Sequence, residues 1–367
     1  MLGLRRLPYQ IVTLAAVFGV VAAVALPASA QTKQELIRAA EKEGKVTVIS
    51  PPVQSHRQTI ELFRQAYPKI DLEISAMTPD QFEPRIDSER KAAKYLWDVV
   101  ISGVSTTVYT RQIPAGWYAP IRDLMGEDLK KIDLWIGGFD SGFLDNDRKY
   151  VFAFAGSKSE SIAIDRSQIP EAELSKPEDL LNPKFKGKIA WLDPRERGSG
   201  SLLVAQLMLI LGEEKLRKLL AEQEIVLTST PRQIAEWAAR GRFPITIGAP
   251  QNEIIELQKL GIGKDTKPLA LPPKYTAVSP QWGAVTYVDK APHPNAARLF
   301  IDWLLSREAQ ADWAQRGRVN SRRADVSPGA PDYTVSGDEW REGLNLNAET
   351  TASFRLKAMQ IAKEVLR

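Results

Sequence analysis

The sequence predicts an α/β protein built on parallel sheets that are covered on both faces. Short apolar strand candidates alternate with amphipathic helical stretches along most of the chain. Several of the strands, Trp97–Gly103 and Phe243–Ile247 among them, stay apolar through their middles, the pattern of strands buried on both faces. The chain has 367 residues and is 44% hydrophobic, so it can fill two packed domains even without its first 30 residues.

Those first 30 residues are expected to lie outside the fold. Arg5 and Arg6 form a basic start, Ile11 to Leu26 an apolar run, and Ala28-Ser29-Ala30 a small-residue cleavage site. This is the pattern of a secretory signal peptide cleaved after Ala30. A membrane anchor is the competing reading, and the run is short for one. The chain has no cysteine, so neither a lipid attached through a lipobox cysteine nor a disulfide is available. The expectation is a soluble periplasmic protein that reaches any inner-membrane partner by docking.

Losing the two leader arginines lowers the formal charge from +4 to +2. No basic block with interleaved aromatics occurs, so nucleic-acid binding has no support. Two histidines and no cysteine leave almost no room for a nucleophile–histidine pair. No G-x-S-x-G, H-E-x-x-H or Walker A sequence occurs, and no cofactor is expected. An exported hydrolase built on a carboxylate pair such as Asp140/Asp145 remains the competing class.

Lys33–Glu43 reads as a surface helix stopped by Gly44, and Lys45–Ser50 as a strand ending at Pro51-Pro52. A helix from His56 to Tyr67 ends at Pro68. A strand over Ile70–Ala76 and a helix over Gln81–Lys94 lead to the strand Trp97–Gly103. Gly116–Gly138 is a turn-rich connection. Tyr150–Ala155 and Ser161–Ile164 are strand pieces around the polar Gly156–Glu160. Lys188–Leu192 is a strand, followed by a helix to Leu211 and a second over Glu213–Gln223. The strand Ile225–Leu227 precedes a helix with Pro231 in its first turn. Phe243–Ile247 is a strand, Glu253–Leu260 a helix, Trp282–Val288 a strand, Pro294–Arg316 a long helical region, and the tail closes as a helix. In such folds ligands sit at the carboxyl ends of strands.

The most informative stretch is Lys188–Leu203, KIAWLDPRERGSGSLL. It reads as strand, small-residue loop and helix N-terminus. Free N–H groups and the positive end of the helix dipole, close approach at Gly198 and Gly200, the hydroxyls of Ser199 and Ser201 and the cation of Arg197 make an anion cradle. The alternative is a well-capped helix with Ser199 as N-cap and nothing bound.

The phrases EGKVTVIS (Glu43–Ser50), WDVVISG (Trp97–Gly103), EDLLNPKFKGKIAWLDPRERGSG (Glu178–Gly200), GRFPITIG (Gly241–Gly248) and WGAVTYVDKAPHPNAARLFIDWLLSREAQ (Trp282–Gln310) occur in an order that resembles family 1 extracellular solute-binding proteins of bacterial ABC importers. The branch it resembles is that of the ferric-iron-binding proteins. The resemblance implies a type II periplasmic-binding-protein fold, two α/β lobes joined by hinge strands and closing on a ligand. It assigns 31–125 and 278–325 to lobe 1, 126–277 to lobe 2, and 326–367 to a C-terminal segment packed on either lobe. It also implies a monomer with no cofactor that captures a small-molecule ligand and docks on an inner-membrane ABC permease.

Two departures shape the ligand expectation. Glu196-Arg197 stands where the family commonly has Thr-Ser, so Arg197 either meets an anionic group of the ligand or pairs with Glu196 or Asp193. Gln251-Asn252 stands where iron-binding relatives carry adjacent tyrosines, and neutral amides are poor ligands for ferric iron. His56 stands near the loop where some relatives place a ligand histidine and reads equally as a helix-start surface residue, no metal site is expected, and His293 reads as a loop residue. The expected cleft holds a small organic anion. Gly198, Ser199, Gly200 and Ser201 donate with Arg197; Gln251 and Asn252 stand on one side; Ser50, Pro52, Ser105 and Thr106 close from lobe 1. Ser157, Lys158 and Ser159 lie at the crossing, Lys158 being a second anion partner or a solvated lysine. Tyr275 and Trp282 stack on the ligand or pack. A ferric-iron receptor of the same fold is the alternative.

Overall fold

The computed structural model describes residues 32–159, 162–271 and 275–366. The leader and its expected cleavage after Ala30 lie outside the described residues. Lobe 1 opens with α1 (Lys33–Glu43), boxed at its start by Thr32 and Glu35 and stopped by Gly44 at φ 71°, a left-handed turn that favours glycine. There follow β1 (Lys45–Ser50), α2 (Gln54–Ala66), β2 (Asp71–Ala76), α3 (Pro79–Lys91) and β3 (Val99–Ser102). β1 lies between β2 and β3, all three parallel. The short β4 (Tyr118–Ala119) and β5 (Phe152–Ala153) precede the crossing strand β6 (Ser157–Ser159).

Lobe 2 contains β7 (Ile162–Asp165), β8 (Ile189–Leu192), α4 (Ser199–Leu211), α5 (Glu213–Glu222), β9 (Val226–Thr228), α6 (Pro231–Ala239), β10 (Ile245–Ile247), α7 (Gln251–Lys259) and β11 (Thr266–Pro268). Its sheet runs β11-β7-β10-β8-β9. The chain returns through β12 (Ala277–Ser279), antiparallel to β6, into β13 (Ala284–Val288), α8 (Pro294–Leu304) and α9 (Arg307–Gly317) of lobe 1. It ends in α10 (Gly337–Glu342) and α11 (Ala352–Val365).

The sheets are mixed rather than parallel throughout. β13 enters lobe 1 from the far side and runs antiparallel to β3, β4 and β5. β7 likewise opposes β10, whereas β10, β8 and β9 are parallel. The expected helix over Pro294–Arg316 is two helices, with Ser306 capping the second through the Ala309 N–H at 3.3 Å.

The first crossing falls later than residue 126. Trp135, Phe139, Phe143 and Phe152 pack edge-on and tilted against one another inside the lobe 1 core, together with Phe63, Phe300 and Trp313. Aromatic burial of this size holds the segment on lobe 1, and the chain leaves only at β6. The lobe 2 core gathers Ile189, Trp191, Leu203, Leu207 and Leu220. The C-terminal segment does not choose one lobe: Trp340 packs in a cluster with Tyr118 and Leu144 of lobe 1, whereas α11 lies on α4 and α5 of lobe 2.

Candidate functional site

α4 starts where β8 ends, and two glycines set how tightly. A Cβ on Gly200 would stand 1.8 Å from the Leu192 carbonyl oxygen, so only glycine lets the helix start this close to the strand. A Cβ on Gly248, past β10 at φ 88°, would come within 3.2 Å of the Gly200 nitrogen. The carboxyl ends of β8 and β10 and the α4 N-terminus thus converge. Gly198, not Ser199, is the N-cap, and no side chain caps the helix. Ser199 instead donates its hydroxyl to the Gly248 carbonyl at 2.6 Å, and Ser201 donates back to Gly198 at 2.9 Å.

Arg197 pairs with neither residue expected for it. Arg195 takes Asp193, with contacts of 2.7 and 2.9 Å, and Glu196 accepts from Ser229. Arg197 reaches across to α3 of lobe 1. Its Nη1 lies 2.8 Å from both oxygens of Glu83 and 3.3 Å from the Thr107 hydroxyl, and its Nη2 bonds Asp80. Thr107 also donates to Glu83 at 2.9 Å and shares a 2.6 Å contact with Ser105. Burial works against the Arg197 charge, but Glu83 and Asp80 outweigh it and raise its pKa above the ordinary value. The lobes are therefore bridged by a charge-assisted network at the mouth of the cradle. Arg318 of lobe 1 and Glu256 of α7 form a second bridge at 2.8 Å, half exposed.

The other expected residues are spread around this network. Ser50 is buried at the end of β1 and Pro52 is exposed; Thr106 is buried beside Ser105. Ser157 is buried with its hydroxyl unpartnered among the described residues, and Ser159 ends β6 opposite Ala277. Lys158, partly exposed, pairs with Glu339 at 2.9 Å. Gln251 and Asn252 form the first turn of α7 rather than a loop, Asn252 exposed. The Tyr275 carbonyl accepts from Gln206 of α4 at 2.7 Å. Trp282 packs beside Gly103, where a Cβ would sit 3.7 Å from its ring. None of these residues lines the cavity of about 840 Å³ between the 137–148 segment and residues 340–351.

His56 is buried in α2, its ring stacked on Trp313 at 4.0 Å and nearly parallel, and burial pushes its pKa down to about 4. His293 heads α8, where it meets the buried Asp98 through backbone and ring at 2.8 and 2.9 Å.

Three charged residues at this junction escape a sequence reading: Asp80 and Glu83 on α3, and Arg355 on α11. Arg355 is 3% exposed and donates through Nη2 to the Ser201 hydroxyl at 3.0 Å. The available signal is its place in the stripe Ala352, Arg355, Ala358, Met359, Ala362, a cation on the face that α11 buries.

Residues 140–319 match the family model of bacterial extracellular solute-binding proteins. An uncharacterized protein of Haemophilus influenzae is 28% identical over 133 residues, 36% of this chain and 37% of that protein's length. Among solved structures, the ferric binding protein of Campylobacter jejuni superposes at a TM-score of 0.68 with 16% identity, covering 87% of this chain and 99% of the other. FutA of Trichodesmium, in complex with iron and citrate, gives 0.63 with 18% identity and 88% and 99% coverage. AfuA of Actinobacillus pleuropneumoniae, with fructose-6-phosphate bound, gives 0.61 with 18% identity and 87% and 99% coverage. The chain thus matches the bacterial extracellular solute-binding proteins over residues 140–319, just under half of its length, and shares the two-lobed fold of periplasmic binding proteins.

Proposed function

We propose that the protein is the periplasmic substrate-binding component of an ABC importer. It captures a small anionic organic solute between its lobes, closes about β6 and β12, and delivers the solute as a monomer to an inner-membrane permease. The observation that carries this reading is the Arg197 bridge: the loop that opens α4 in lobe 2 grips lobe 1 through Glu83, Asp80 and Thr107. Two surfaces that meet through ion pairs rather than one continuous core can part and rejoin. Two structural neighbours are seen with ligands that carry carboxylate or phosphate, iron with citrate in one and fructose-6-phosphate in the other. The amides of Gln251 and Asn252 suit such oxygens better than they suit ferric iron.

The test is thermal shift of residues 31–367 against organic acids, phosphate esters, phosphonates, sulfonates, polyamines and Fe(III). A ligand at a hundred times its Kd adds about 2.7 kcal/mol. A shift with one anionic class, and recovery of that compound unchanged, supports the reading. A shift with Fe(III) or cations alone replaces it, and turnover of the compound makes the protein an enzyme.

A further inference from the structure

We infer that the acidic group of the captured solute is held by Arg355 on the C-terminal helix, acting with the N-terminus of α4, and not by Arg197. The inference rests on the reading of the protein as a receptor for an organic anion, and it names the residue that does the recognition.

Arg197 has its charge satisfied. Its guanidinium is engaged by two carboxylates and a hydroxyl from lobe 1. Arg355 is the opposite case. It is 3% exposed, and it makes no ion pair among the described residues. Among the described residues one hydrogen bond fixes it, from Nη2 to the Ser201 hydroxyl at 3.0 Å, while Nε and Nη1 are buried with no partner. Ser201 spends its own proton on the Gly198 carbonyl, so toward Arg355 it can only accept. The charges that face Arg355 are Tyr109 from lobe 1 and Arg197 from the loop before α4, neither of which supplies a negative charge at neutral pH. Burial depresses its pKa to about 10, which still leaves it cationic at neutral pH.

A buried cation with unfilled donors is costly to keep. It is set beside the first turn of a 13-residue helix that no side chain caps. The helix brings free N–H groups and roughly half a positive charge to the same place. Arg355 and that turn together present about one and a half positive charges and several unfilled donors. That set suits one carboxylate, phosphonate or phosphate-ester head. With the lobes bridged by Arg197, the head enters when the bridge parts. The C-terminal segment, which also packs on lobe 1 through Trp340, becomes part of the binding wall rather than an appendage.

The experiment uses residues 31–367 as wild type, Arg355→Met and Arg355→Lys. Methionine keeps the aliphatic bulk against α4 and removes the charge. In anion-free buffer, Arg355→Met is expected to melt at or above the wild-type temperature, since an uncompensated buried charge is gone. The wild type is then titrated with inorganic phosphate, citrate and fructose-6-phosphate by calorimetry. The expected result is binding of at least one of them, weakened tenfold or more in Arg355→Met and less in Arg355→Lys. If Arg355→Met melts well below wild type without anion, or binds the same compound as tightly as wild type, the assignment to Arg355 is overturned and the receptor reading stands. If the wild type binds none of the three, the assignment falls together with the anion reading.

Discussion

Arg197→Met tests whether the charge bridge holds the lobes together. The Glu83 side chain is 5% exposed and the Arg197 side chain 29%, and both Glu83 oxygens lie 2.8 Å from Nη1. At an effective dielectric of about 20, charges about 4 Å apart attract by roughly 4 kcal/mol before desolvation is counted. Removing one partner of a buried pair costs about 3–5 kcal/mol, because the other charge stays buried and unmatched. The exposure of Arg197 argues for the lower end, about 3 kcal/mol. In the open form proposed for the protein Glu83 would meet water, so the loss falls on the closed form alone. At about 1.4 kcal/mol per factor of ten, the closed-to-open ratio of the ligand-free protein should fall by roughly a hundredfold. The chain has no cysteine, so Lys69→Cys on lobe 1 and Lys218→Cys on lobe 2, at sites 73% and 57% exposed, accept one spin label each. The inter-label distance distribution should move away from that of the unsubstituted labelled protein. Arg318→Met, which removes the half-exposed pair with Glu256, should move it little, since such pairs contribute about 0–1 kcal/mol. An unchanged distribution in Arg197→Met would refute the argument that this bridge keeps the cleft shut.

Two further predictions concern the lobes themselves. The His56 imidazole has a folded pKa of about 4 against 6.5 unfolded, so the unfolded chain takes up the proton first. Its contribution is intact above pH 6.5 and is lost as pH falls through 6.5 toward 4, at about 1.4 kcal/mol per pH unit and about 3 kcal/mol in all. Urea unfolding at pH 7 and pH 4.5 should show this loss in the wild type and a smaller one in His56→Phe; equal losses would show that His56 is not the group responsible. Gly200→Ala would drive a methyl group into the Leu192 carbonyl, so α4 must shift away from β8. The expected cost is about 3 kcal/mol, the upper end for overpacking, read as a lower melting temperature, and a variant as stable as wild type would mean the junction has slack that the 1.8 Å approach denies.

What the sequence makes legible here is local, and what it hides is the meeting of distant segments. KVTVIS and VVIS announce β1 and β3 because alternation and apolar runs are written within a few residues. The break at Asp193-Pro194 and the glycines after it mark where α4 begins. The antiparallel entry of β13, and the hold of Phe139, Phe143 and Phe152 on lobe 1, depend on partners more than a hundred residues away, and no periodicity within the 132–155 stretch points to them. The candidate site shows the same divide. Arg197 is conspicuous in its loop, but a charge visible in a loop says nothing of what it faces. Its partner Glu83 lies 114 positions away beside the buried Phe82 and Ile86, and Ser201 meets Arg355 across 154. Arg355 and Glu83 share one mark that a sequence does carry: each is a charge on the buried face of a helix. Burying a charge is costly enough that such a residue needs a partner. Glu83 has Arg197. Arg355 has no ion-pair partner among the described residues, and a counter-ion brought by the solute is the partner we propose for it.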